Sequence, residues 1–69
     1  MKITRAKYDA AKVLYEASVH AHKSADIIHD ELIYLTGATE NGMLAEAAYG
    51  RYEKTFAQAM RDEGITIKK

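Results

Sequence analysis

The chain has 69 residues, no cysteine, no proline, and ten Lys/Arg balancing ten Asp/Glu. Disulfides and thiolate zinc sites are excluded, and the global basic excess that drives phosphate-backbone binding is missing. Charges of both signs are mixed along a chain that is 48% hydrophobic, which argues for a folded protein over a charged tail.

One domain over residues 1–69 is expected. A lone core of this size rarely supplies more than ~3–5 kcal/mol, so a metal or a partner subunit is the usual supplement, and self-association is the commoner of the two. No apolar run approaches the ~18 residues that span a bilayer. Met1-Lys2 opens no apolar secretory core. The cytoplasm is the expected compartment, with no membrane partner.

Taken in chain order, the first element is a long amphipathic helix. Thr4 can cap its start. Leu14, Ala21, Ile28 and Leu35 recur every seven residues, flanked by Ala10, Ala11, Ala17, Ala25 and Leu32. That stripe predicts one helix over residues 4–35, ~48 Å long at 1.5 Å per residue. Its weak point is Ser18 to Ser24, where Val19, two histidines and two serines lower helix propensity and Ser24 could cap a new helix. Continuity is favoured because neither Gly nor Pro interrupts it.

Thr36 to Gly42 reads as a turn. A second helix over residues 40–63 follows, with Leu44, Ala45, Ala48, Tyr49, Tyr52, Phe56, Ala59 and Met60 on its apolar face. Gly50 inside it costs ~1 kcal/mol relative to alanine and suggests a close helix crossing. Gly64 followed by Ile65 has the pattern of a C-terminal glycine cap. The remaining tail, if extended, covers ~16 Å. It is expected along Ala6, Ala10 and Val13, with a short ladder against Lys2-Ile3-Thr4 as the other placement.

The predicted fold is therefore all-α: an antiparallel helical hairpin with a short extended C-terminal tail. The alternative is a three-helix bundle broken near Ser18–Ser24. Because the seam is rich in alanine, each residue buries little apolar area. Two hairpins pairing into a four-helix bundle would complete the core.

Tyr8, Tyr15, His22 and His29 lie seven residues apart on the first helix, with Asp26 interleaved. A row of amphipathic rings suits a protein interface or packing against helix two. His22, Asp26 and His29 stand at i, i+4 and i+7 and are weak metal candidates, because one helix rarely completes a site. No metal or other cofactor is expected. Ser18, His22 and Asp26 imitate a hydrolase triad in spacing, but a straight helix offers no oxyanion hole and no convergence from separate elements. His20, His22 and His29 could make assembly pH-sensitive if they line a seam. The pairs Arg5–Asp9, Lys12–Glu16 and Lys23–Asp26 read as solvated helix pairs.

No motif identifies a family; size, lack of cysteine and helical patterning are those of many accessory, regulatory and phage-encoded proteins. The expected function is non-enzymatic: a homo-oligomer, dimeric by preference, that binds another protein as inhibitor, adaptor or regulatory subunit. Nucleic acid is an unlikely partner. The first alternative is nonetheless a nucleic-acid-associated regulator using the basic ends Lys2, Arg5, Lys7, Lys12 and Lys68-Lys69, and the second is a metal-binding helical bundle.

Overall fold

The computed structural model describes residues 1–19, 25–50 and 53–69. In chain order these form β1 (Lys2–Ile3), α1 (Arg5–Ser18), α2 (Ala25–Thr36), α3 (Met43–Ala48), α4 (Phe56–Asp62) and β2 (Thr66–Ile67). The fold is mostly helical, as composition and periodicity imply, with a two-stranded parallel ladder joining its ends.

Thr4 starts α1 from an extended conformation, its hydroxyl accepting the Lys7 N–H at 3.2 Å. That satisfies one of the orphan donors of the first turn. Ala11, Tyr15 and Ser18 face inward. Ser18 is fully buried because its hydroxyl donates back to the Tyr15 carbonyl at 2.8 Å.

The expected single rod over residues 4–35 is not observed. Lys7 Nζ lies 5.7 Å from the ring centre of Tyr34, whereas 27 residues of continuous helix would separate them by about 40 Å. The longest dimension of the molecule is 35 Å. α1 ends at Ser18 and α2 starts at Ala25, so two helices stand where one was expected, and most of the expected weak point, residues 20–24, lies outside the described residues. The cap expected at Ser24 lies outside the described residues.

At the end of α2, Thr36 is buried and doubly used. Its hydroxyl donates to the Leu32 carbonyl at 2.7 Å and accepts the Ala38 N–H at 3.2 Å, so one group closes the helix and opens the turn.

The expected helix over residues 40–63 is also divided. Gly50 has φ of +69° and its N–H donates to the Ala47 carbonyl at 3.1 Å. It acts as a left-handed C-terminal cap, a conformation that costs a residue with a Cβ about 1–2 kcal/mol. Tyr52 lies outside the described residues. Thr55 then starts α4 with a full capping box: it accepts from Gln58 N–H while Gln58 Oε1 accepts from Thr55 N–H.

Gly64, at φ +73°, ends α4 as its pattern predicts, and Ile65 folds back with its N–H on the Met60 carbonyl at 2.9 Å. Ile65 enters the core beside Met60. The tail takes the ladder placement, not the one along α1. Lys2 pairs with Thr66 and Ile3 with Ile67, while Ala6, Ala10 and Val13 stay exposed. A parallel pair needs a crossover connection, and here the helices supply it.

The core gathers Ile3 of β1, Ala11, Tyr15, Leu32, Leu44, Phe56 and Met60 of α1 to α4, and Ile65 just before β2. Phe56 is gripped edge-on by Tyr8 and Tyr15, with ring centres 5.0 and 5.1 Å away. Such edge-to-face pairs add about 0.5–1.5 kcal/mol each beyond area burial.

Candidate functional site

The described members of the tyrosine–histidine row are divided between two helices. Its two tyrosines belong to α1 and His29 to α2, while His22 lies outside the described residues. Tyr15 is 2% exposed, edge-to-face with Phe56, with its hydroxyl donating to the Lys54 carbonyl at 3.1 Å. It is a core residue that ties α1 to the segment before α4. Tyr8 is half-buried and keeps one side open. Asp26 is exposed.

His29 is half-buried, with Nδ1 3.9 Å from Asp30 Oδ1 and Nε2 buried without a hydrogen-bond partner among the described residues. A buried polar atom left unmatched costs about 1–3 kcal/mol. Among the described residues no three His, Cys, Asp or Glu side chains converge as a metal would need. The Ser18–His22–Asp26 spacing gains nothing from the structure, since Ser18 is spent on the α1 backbone and His22 lies outside the described residues.

Two surfaces stand out instead. The first is the outer side of α1. At ~100° per residue, Ala6, Ala10, Val13 and Ala17 fall within one narrow arc, far from the inward Ala11, Tyr15 and Ser18. All four are exposed, Val13 at 67%. Half-buried Leu14 lies between this arc and the core, and on α2 half-buried Ile28 and Leu35 sit at the matching boundary between core and exposed faces. Ile27 and Tyr34, seven residues apart on α2, are 70% and 74% exposed. The charged side of α1 is separate and carries the Arg5–Asp9 pair at 3.4 Å.

The second surface lies where β2 meets α4 and α1. A groove of about 360 Å³ opens there, with Tyr8, Met60, Ile65 and Ile67 giving apolar walls and Arg61 and Lys69 at its margin. Sequence periodicity pointed to neither Arg61 nor this groove; the alternation of Ile65-Thr66-Ile67 was the local signal. On another side of α4, Lys54 pairs with Asp62. The hydrogen bond to that carboxylate and its charge raise the Lys54 pKa, with smaller contributions from Glu46 and Glu63 and an opposing effect of desolvation.

No helix among the described residues is long and apolar enough to cross a membrane. No protein-family model, no curated protein and no solved structure matches the chain.

Proposed function

We propose that this chain is a non-catalytic protein-binding module that works as a homodimer, two α1–α2 pairs closing through their outer faces into a four-helix bundle. The observation that carries this reading is the solvent-facing stripe Ala6, Ala10, Val13 and Ala17, bordered by Leu14. Alanines at helical spacing let two backbones approach to the ~8–10 Å of tight helix packing, and Val13 supplies the central knob.

Area supports the same reading. A molecule of 35 × 19 × 17 Å presents at most about 650 Å² on one face, at the low end of the ~600–1,000 Å² per partner that a specific interface buries. The dimer would also relieve the small core of a 69-residue chain.

Light scattering across a dilution series tests it. The wild type is expected at twice the chain mass of 7.7 kDa, with a melting point that rises with concentration. Val13→Glu and Ala10→Glu place a charge in the seam and are expected to give folded single copies. A wild-type mass of 7.7 kDa with a concentration-independent melting point removes the reading.

One observation favours a second reading, a nucleic-acid-associated regulator. The β1–β2 ladder brings Lys2 to the same end of the molecule as Lys68 and Lys69, joining basic groups far apart in sequence. Binding of a duplex or single strand that weakens steeply with salt, and with Lys2→Ala plus Lys68→Ala, would support it.

A further inference from the structure

The ladder has an open edge at β2. In a parallel pair, alternate residues of a strand bond to the neighbour and the residues between face away. Thr66 and Lys68 donate to the Met1 and Ile3 carbonyls at 2.9 and 2.6 Å. The N–H and C=O of Ile67, between them, therefore point to the unpaired side. An edge of this kind is a template for another extended chain.

Beside it lies the groove of about 360 Å³ whose apolar walls come from Tyr8, Met60, Ile65 and Ile67. Of the described residues lining it, Arg61 and Lys69 carry the charge, both positive and both exposed. Hydrogen-bonding edge, apolar seat and paired cations thus adjoin one another.

We propose that this edge and groove bind an extended acidic segment of a partner protein, added as a third strand beside β2. The segment's backbone would exchange hydrogen bonds with Ile67. One apolar side chain would sit against Tyr8 and Ile67, the half-buried apolar residues of the lining, and carboxylates on flanking residues would reach Arg61 and Lys69. Strand addition fits because backbone pairing supplies affinity while a pocket for one side chain supplies selectivity. A docked helix satisfies its own N–H and C=O groups and leaves those of Ile67 unused. The acidic character follows from charge complementarity, since the charged side chains among the described lining residues are both cations and disfavour a basic chain. The inference rests on the reading as a polypeptide-binding protein but uses a different surface from the α1–α2 face, so the two can fail separately.

The test uses the full chain and a fluorescein-labelled heptapeptide alternating Glu with Leu and Val. One control peptide has Lys for every Glu, and another is N-methylated at its central amides. Anisotropy is expected to show binding by the acidic peptide alone, with the Ile67 amide resonance shifting on titration. Arg61→Glu combined with Lys69→Glu, folded by circular dichroism, is expected to weaken binding about tenfold or more, as loss of charge-assisted contacts does. No binding by the acidic peptide overturns the proposal. So does equal binding by either control peptide or undiminished binding to the double variant. A single-stranded oligonucleotide that displaces the peptide and binds more tightly also overturns it, in favour of nucleic acid. If Ile67 instead shifts with protein concentration before peptide is added, the edge pairs with a second copy and the proposal fails. Light scattering on the same samples reads the α1–α2 dimer independently.

Discussion

Several described side chains are held by backbone groups, among them Tyr15, Ser18 and Thr36. Tyr15 shows the pattern: sequence position offered it as a contact residue, yet its ring is consumed by Phe56 and its hydroxyl by the Lys54 carbonyl. Nothing in a seven-residue spacing distinguishes an inward from an outward tyrosine until the neighbouring element is placed. Thr55 is the opposite case, since its role is local and legible. Thr55→Ala removes the capping box of α4 and is expected to cost about 1 kcal/mol, lowering the melting point by ~4–8 °C in a domain of this size; Thr55→Ser should restore most of it. An unchanged melting point for Thr55→Ala would show that α4 is held by packing alone.

Lys54 gives a pH dependence with a definite sign. Its pKa is raised above 10.5 by Asp62, so folding and protonation of this group favour one another. The contribution is fully present below pH 10.5 and fades as pH rises through the higher value of the folded protein. Solvent screens so exposed a pair, which keeps the effect small. While the Asp62 carboxylate is charged, the stability difference between wild type and Lys54→Gln, followed by denaturant titration, should therefore persist up to strongly alkaline pH and shrink there. A difference that stays constant well above pH 10.5 would contradict the assignment of this effect to Lys54.

Elements divide where the chain needs a conformation that a helix cannot supply. The apolar face from Leu44 to Met60 is continuous by helical spacing, and Gly50 alone carried the warning. In a continuous helix Gly50→Ala would stabilise by about 1 kcal/mol. At the observed φ of +69° it is expected instead to destabilise by a similar amount, with Gly50→Asn less harmful. The sign of that change, read by thermal denaturation, decides between one helix and two. The break after Ser18 had a weaker signal, low propensity without a breaker, and periodicity outvoted it. Periodicity reports which face is apolar; it does not report whether the helix continues beneath that face.

For the whole molecule, the parallel ladder has the largest consequence. It draws the basic N-terminal and C-terminal segments to one end, leaves Ile67 at an open edge, and frees the α1 stripe that the tail was expected to cover. An exposed apolar stripe on so small a body is the reason a second copy is proposed, and a melting point that climbs with protein concentration is the whole-molecule signature expected. Composition, charge balance and helical periodicity by themselves determined the helical class, the cap at Thr4 and the glycine end at Gly64, because these depend on interactions within a few residues. Tertiary structure alone decided which tyrosine is buried, which strand meets which, and where apolar surface remains open. Those outcomes depend on contacts between residues tens of positions apart, such as Tyr15 with Lys54 and Ile3 with Ile67, and local spacing carries no information about them.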